Sequence, residues 1–492
     1  MNPVYVLYKK LERFSFIATI SFFLNDVVLA KCSRNRSYTL KKIKKVRKRA
    51  DNKKEKSKTL QDLKIAYICD EITYQNFSYL TTSFFLTPKN WYEVMEKEKP
   101  DFLFCESAWS GIKDYRDCWR GRIYRNHHVK YEHRKVLLNI LEYCHQERIK
   151  TVFWNKEDPS YFGNQSYDFV DTALRFDYIF TTCQECVDQY KAYGHARVAV
   201  LPFGFSPRLY NPIGTTSKEN KAIFAGSWYP AFQERCMEME EMFRMVQSYG
   251  IQLCIYDRNA QNKSTTNVFP EQYQPYICGS VPYTGMGEVV KNCQYAININ
   301  SVKNSESMFA RRVYEMMASN MCVISNESVG MKKQFQERVW FLGEKAPGDR
   351  MNNMNRKNVQ DVFAYHTNRK RLEELIEFIG ISIAHKKISV VIVSDDRRQS
   401  ISCEDIRIDY CPDISEIDIR KDYFIVEKNH EFQVEEIRMM IPHYEYLSRD
   451  ISIGFFTPCY EISTRKEMWD LLIPMENIEQ VKRELPILVY GI

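Results

Sequence analysis

From Leu63 onward, short runs of β-branched and aromatic residues alternate with longer stretches whose apolar side chains recur every three or four positions. The short runs predict strands: IAYIC (Ile65 to Cys69), DFLFCES (Asp101 to Ser107), TVFWN (Thr151 to Asn155), YIFTT (Tyr178 to Thr182) and VAVLP (Val198 to Pro202). The helical pattern is clearest over His133 to Arg148, where Val136, Leu137, Ile140, Leu141 and Cys144 share one face. Alternation of this kind predicts a parallel α/β domain. Prolines, glycines and small polar residues then gather over Pro202 to Lys221, which reads as a hinge. The alternation resumes with AIFAGS (Ala222 to Ser227), IQLCIYD (Ile251 to Asp257), YAININ (Tyr295 to Asn300), CVIS (Cys322 to Ser325) and VWFLG (Val339 to Gly343), and closes with a long helix from about Arg356 to Ile379. After Lys386 a shorter patterned run begins with ISVVIVSDDRRQS and ends with LPILVYGI. The expected organisation is a basic helical segment over 1–60, a Rossmann-like α/β domain over 61–205, a second over 220–384, and a small α/β segment over 385–492. Open α/β sheets bind ligands beyond the carboxyl ends of their strands, so the expected site is a cleft between the two halves.

Charge changes this picture at one end. The 492 residues carry a formal charge of +7, but residues 1–58 hold 17 Lys and Arg against 4 Asp and Glu, so the rest of the chain is near −6. The run KKIKKVRKRADNKKEKSK (Lys41 to Lys58) has almost nothing apolar to bury. It is either a solvated tether or a contact for an anionic surface, and a cytoplasmic leaflet attracts such a segment by about 1 kcal/mol per basic residue close to it. Residues 31–58 are therefore the expected membrane contact. Nucleic acid is the poorer partner, because no recognised nucleic-acid-binding motif accompanies the charge. Phe14 to Ala30 is apolar but broken by Asn25 and Asp26. That is too short to span a bilayer, which takes about 20 residues, and reads as a docking or core-packing helix. Fifteen cysteines, scattered and mostly inside apolar strands, read as buried thiols of a reducing, cytoplasmic compartment.

Several residues are candidates for chemistry on their own pattern. Glu157 and Asp158 follow the strand Thr151 to Asn155 and precede a proline, which places carboxylates at a cleft edge able to orient an acceptor hydroxyl or take its proton; a turn cap is the plainer alternative. His127 and His128 lie in a polar loop and are a base, a phosphate contact or merely exposed. Cys183 and Cys186 have metal or redox spacing, but no second pair or His cluster stands near enough in the chain to complete a zinc site, and no metal is expected.

The most specific stretch is NINSVKNSESMFARRVYEMMASNMCVISNES, Asn298 to Ser328: a strand, a polar loop, a helix from about Met308 to Asn320 and another strand. Together with FWNKEDP (Phe153 to Pro159), DYIFTT (Asp177 to Thr182), LPFGFSP (Leu201 to Pro207), FAGSWYP (Phe224 to Pro230) and IYDRN (Ile255 to Asn259), it resembles, in the same order, the glycosyltransferases related to spore-maturation protein CgeB, a group-1-like GT-B family. The match runs from about Leu63 to Leu342. The resemblance implies a GT-B fold and a nucleotide diphosphate sugar as donor substrate, a UDP-sugar first of all, with no tightly bound cofactor. A nucleotide diphosphate needs amides at a helix N-terminus, cationic forks for its phosphates and a carboxylate for its ribose hydroxyls. Arg311 and Arg312 then bind the diphosphate at about 1.5 to 3 kcal/mol per charge-assisted bond, and Glu315 takes the ribose. Gly226 and Ser227 match the family's close backbone approach to the phosphates. Asn300, Ser301 and Arg258 complete the donor set at strand ends. Without the resemblance, Arg312 and Glu315 are an ordinary surface pair at i, i+3, and Gly226 an ordinary turn.

The chain departs from the group-1 pattern in two places. Ser307 stands where many such enzymes carry a second glutamate, eight positions before the ribose-binding one, with Glu306 beside it. Asn320 stands where a glycine-containing turn is usual. The C-terminal segment resembles the opening of a GT-A family-2 glycosyltransferase, but KDYFIVEKNHEF (Lys421 to Phe432) lacks the aspartate cluster that seats a divalent ion there, so a noncatalytic remnant is expected. The implied function is sugar transfer to a cell-envelope glycan, a teichoic-acid-like anionic polymer or a lipid-linked acceptor, at the inner face of the membrane. The alternative is a spore or envelope structural protein that keeps the fold without turnover.

Overall fold

The computed structural model describes residues 58–115, 117–215, 217–260, 267–384, 387–394, 398–403, 405–456 and 459–492. The expected docking helix, and all but the last residue of the basic run, lie outside them. The rest divides into two compact units, each an α/β assembly of the class expected.

The first unit takes the described residues up to Pro202, with Ser305–Met308 and Leu372–Ala384. Its sheet is built from β1 (Lys64–Ile68), β2 (Thr82–Phe85), β3 (Phe102–Glu106), β4 (Lys150–Asn155), β5 (Tyr178–Thr181) and β6 (Val198–Val200). The order is β2-β1-β3-β4-β5-β6 and every pairing is parallel. Strands β1, β3 and β4 are buried almost throughout, as befits a parallel sheet covered on both faces. Among the connecting helices, α1 (Lys135–Gln146) presents Leu137, Ile140, Leu141 and Cys144 inward, on the face expected. Helix α2 (Phe169–Ala173) is capped by the Asp168 side chain, and α3 (Gln184–Ala192) follows β5.

The second unit holds Phe203–Asn304, Phe309–Arg371 and the residues from 385 onward. Its parallel sheet comprises β7 (Glu219–Gly226), β8 (Gln252–Asp257), β9 (Ile277–Gly279), β10 (Cys293–Asn298), β11 (Cys322–Ser325) and β12 (Trp340–Phe341), in the order β12-β11-β10-β7-β8-β9. Its helices include α4 (Gln233–Ser248), α5 (Tyr283–Lys291) and α6 (Arg312–Ala318). The helix expected from Met308 begins only at Arg312, because the Ala310 amide is drawn aside to Asn300 Oδ1 at 3.2 Å. It ends at Ala318, and Asn320, with a φ of +55°, supplies the left-handed turn that glycine usually makes.

The single long helix expected over 356–379 is two helices, α7 (Met351–Tyr365) and α8 (Asn368–Phe378). Between them the chain pairs with Phe205: the Phe205 amide donates to the His366 carbonyl at 3.2 Å, and the Asn368 amide donates to the Phe205 carbonyl at 2.8 Å. Gly204 permits this approach. A Cβ there would lie 2.8 Å from Asn368 Oδ1 and 2.9 Å from the His366 carbonyl.

The C-terminal run forms an eight-stranded mixed sheet from β13 (Ile388–Val393) to β20 (Ile487–Gly491). Part of its core is its own, with Val391, Phe424, Ile473 and Val489, and part is shared with the rest of the unit. Ile392, Ile408, Ile425, Ile453 and Tyr490 belong to one continuous apolar cluster with Val313, Met317, Val362 and Phe363. Phe363 stacks on His443 with ring centroids 4.5 Å apart.

Candidate functional site

In the second unit, the residues expected to bind a donor gather at the carboxyl ends of β7, β8 and β10, where the chain turns from strand to helix. Gly226 ends β7, and its carbonyl accepts the Arg258 amide at 3.2 Å. Ser227 follows, 2% exposed, and its Oγ has no hydrogen-bond partner. Over this corner lies the Arg312 guanidinium, 5.6 Å above the Phe224 ring. A Cβ on Gly226 would stand 2.8 Å from the Phe224 ring, so the ring beneath the guanidinium leaves room for glycine alone.

Arg312 is held unusually far down, at about 10, by burial first and then by the charge of Arg258; Arg235 and Arg311 add to this while Glu315 pulls the other way. Arg235, on α4, donates to the Ser227 carbonyl at 3.3 Å and is itself lowered by burial. Among the described residues no carboxylate pairs with Arg312, Arg258 or Arg235. Three guanidiniums whose like charges meet at one corner, beside an unsatisfied buried hydroxyl, form a site arranged for a multiply charged anion.

The two adjacent arginines differ in their partners. Arg311 turns away from this corner: its Nε donates to Glu315 Oε1 at 2.8 Å, and its guanidinium sits 5.3 Å from the Tyr283 ring and 6.0 Å from that of Phe203. Burial works to lower its pKa, but Glu315 and then Tyr283 raise it above the ordinary value. Tyr283 donates to the same Oε1 at 2.8 Å, so Glu315, 4% exposed, is fixed by two donors. Its Oε2 takes part in no hydrogen bond among the described residues. Arg311, expected from the sequence as a phosphate contact, is thus ion-paired with Glu315.

Asn300 is buried and committed. Its Nδ2 donates to Ser325 Oγ at 3.2 Å and its Oδ1 accepts from Asn298 Nδ2 at 3.1 Å besides the Ala310 amide. It shapes the turn into α6, and the expectation that it touches the nucleotide directly is corrected on that ground. The same bond occupies an amide expected for phosphate. Ser301 is exposed.

In the first unit the carboxylates separate. Asp158 is fully buried, accepting from Asn155 Nδ2 at 2.7 Å, Thr181 Oγ1 at 2.8 Å and Tyr190 Oη at 3.0 Å. The expectation that it lines a cleft edge is thereby corrected: three neighbours occupy the carboxylate within the core. Burial pushes it up to about 7, against the hydroxyls of Thr181 and Tyr190. The native state thus keeps a proton that an unfolded chain, with an aspartate titrating near 4, has lost. This contribution to stability is complete below about pH 4 and is lost as pH rises to about 7. Asp158→Asn should remove that slope, so that wild type loses on the order of 2 kcal/mol more than the variant between pH 4.5 and 7.5 in urea unfolding. Parallel curves would refute the assignment.

Glu157 is half-buried and raised by burial against the pull of Lys156. It belongs to a group that sequence reasoning missed. Glu106, fully buried at the end of β3, accepts from the Asp70 amide at 2.6 Å and from Lys156 Nζ at 3.1 Å, and Asp70 lies 3.6 Å from that ammonium. Burial opposes the charge of Lys156, but Glu106 and Asp70 raise its pKa above the ordinary value. Asp70, Glu106 and Lys156 each sit one or two residues beyond, or at, the end of a parallel strand, and that spacing was the available signal.

His127 is exposed, with Nε2 2.7 Å from Asp168 Oδ2; His128 is exposed. Cys183 is hydrogen-bonded to Cys186, which lowers it, and to Glu185. Among the described residues no cluster of His, Cys, Asp and Glu suits a metal ion. Ser307 Oγ donates to the Thr182 carbonyl at 2.9 Å and accepts from the Gln184 amide at 2.8 Å, so this position serves the first unit's α3.

No protein-family profile matches the chain. No curated protein sequence matches it either. Among solved structures it is similar to an α-glucosyltransferase in complex with UDP-glucose and DNA containing an abasic site, at 9% identity over 65% of this chain and 99% of that one, with a TM-score of 0.44. It is similar also to HepE of Anabaena in complex with UDP and glucose, at 10% identity, 64% and 99% coverage and a TM-score of 0.38. A glycosyltransferase from Rickettsia africae ESF-5 stands at 12% identity, 65% and 100% coverage and a TM-score of 0.38. The chemistry of the site rests on this chain's own residues. No helix among the described residues is long and apolar enough to cross a membrane.

Proposed function

We propose that this chain is a glycosyltransferase taking a sugar from a nucleotide diphosphate, a UDP-sugar in our reading. The observation that carries the proposal is the group of three arginines without carboxylate partners around the unsatisfied Ser227 hydroxyl. In this reading Arg312, Arg258 and Arg235 hold the diphosphate, Ser227 donates to it, and Glu315 accepts from the ribose hydroxyls. The resemblance of the motifs to the CgeB-related glycosyltransferases points the same way. An acceptor hydroxyl attacks the anomeric carbon as the bond from that carbon to the diphosphate oxygen breaks. The electron pair leaves on the diphosphate, where fixed positive charge stabilises it most as the bond lengthens. Glu157, raised by burial, is the acceptor-side carboxylate that receives the hydroxyl proton. The acceptor is a cell-envelope glycan, a teichoic-acid-like polymer or a lipid-linked sugar, met at the inner membrane face with the help of residues 31–58.

Isothermal titration with UDP, GDP, CDP and the matching nucleosides tests the donor site. One diphosphate should bind at a single site at least tenfold more tightly than its nucleoside. Absence of binding by all three would sink the proposal. Binding without transfer or hydrolysis of any nucleotide sugar would leave the noncatalytic envelope protein as the better account.

A further inference from the structure

The first unit carries a second built site, and we infer from it that the acceptor is an uncharged saccharide, stacked on Trp109 with a hydroxyl on Glu157. This rests on the transferase reading and narrows its acceptor.

The loops leaving β3 and β4 carry a set of rings graded from buried to open. Phe169 and Tyr124 are buried at 1% and 7%; Trp109 and Tyr161 are half-buried; Tyr167 is 37% exposed. The three outer rings meet edge to face. Trp109 lies 5.2 Å from both Tyr161 and Tyr167, at 67° and 69°, and those two lie 5.8 Å apart at 82°. Trp109 also meets the buried Tyr124 and Phe169 rings, at 5.8 and 5.3 Å, so it is braced from within while the outer rings keep part of their surface exposed.

This group of rings is held rigidly. The Trp109, Ser110 and Gly111 amides all donate to the Asp70 carboxylate, at 2.8, 2.8 and 2.7 Å, and the Tyr161 amide donates to the Glu157 carbonyl at 3.1 Å. The loops are stitched together by two bonds between Arg125 and Asp168, at 3.0 and 2.9 Å. Rigid, partly open aromatic surface with a fixed polar group beside it is the composition of a ligand site.

Its charge selects the ligand. Lys156 is matched by Asp70, Glu106 and Glu157, three carboxylates to one ammonium, and His127 is matched by Asp168. A phosphate or uronate brought here meets an excess of negative charge. A neutral sugar instead lays its C–H face on the rings and gives its hydroxyl protons to the carboxylates.

Maltose, cellobiose, lactose and chitobiose, with poly(glycerol phosphate) as the anionic comparison, should be titrated into the full chain with and without UDP. At least one disaccharide is expected to bind in the millimolar range and the polyanion not at this site. Trp109→Leu should weaken the disaccharide at least tenfold with UDP affinity kept. Tyr167→Ala, at an open position that tolerates truncation, should weaken it severalfold, and stands in if the tryptophan variant fails to fold. The inference is overturned if no disaccharide binds, if both variants bind it as wild type does, or if the polyanion binds and loses affinity in Tyr167→Ala. Disaccharide binding in a protein that takes no UDP would instead overturn the donor assignment and leave this one standing.

Discussion

Arg312→Met should stabilise the ligand-free protein and weaken its binding of a nucleotide diphosphate on the order of 100-fold. The guanidinium is held down at about 10 by burial and by Arg258, so it costs free energy to keep charged in the native state. Methionine fills much of the same volume over Phe224 without that cost, and a gain of about 1 kcal/mol is expected. The charge-assisted bonds lost from the ligand are worth about 1.5 to 3 kcal/mol each, so UDP binding should fall by a factor on the order of 100. Thermal unfolding with and without UDP reads both effects at once: the variant's curve starts higher and no longer moves with nucleotide. A variant less stable than wild type would mean that Arg312 has a structural partner and that its charge is not reserved for a ligand.

Glu315→Gln should do the opposite to the fold. Arg311 loses its counter-ion between the rings of Tyr283 and Phe203, and because that guanidinium keeps some contact with solvent the expected cost is about 2 kcal/mol. UDP affinity should drop on the order of 100-fold with the ribose contact, while inorganic pyrophosphate, which needs only the arginine corner, binds within a few-fold of wild type. The double variant Arg311→Met/Glu315→Leu should recover stability without recovering UDP, since a buried ion pair can be replaced by apolar groups at little cost. If pyrophosphate and UDP weaken together, Glu315 shapes the whole pocket and the division of labour between Arg311 and Arg312 is wrong.

How readable each element is from the chain depends on how it is buried. Strands β1, β3, β4 and β5 announce themselves because they are covered on both faces and so carry unbroken apolar runs. Strand β2, with Thr82 and Ser83 at a sheet edge, and β9, three residues long at another, are stabilised by their neighbours and carry no such run. The break at His366 is invisible locally, since it is imposed by pairing with Phe205, some 160 residues earlier. At the proposed donor site, Arg312 and Glu315 stand out through their motif, yet nothing in two consecutive arginines tells which one faces a carboxylate. Arg235 sits within QERCMEMEEM and looks like ordinary surface charge until α4 is seen to begin beside Ser227. Glu157 and Asp158 pose the same problem: a turn sends one inward and one outward, and the three donors that claim Asp158 come from Asn155, β5 and α3.

The mixed sheet of residues 388–492 packs its Ile392, Ile408 and Tyr490 into the same apolar body as α6 and α7, while its other face keeps a core of its own. A chain cut short after Ile379 would leave that side of α6 and α7 facing water, so the C-terminal sheet acts as a built-in scaffold for the arginine corner.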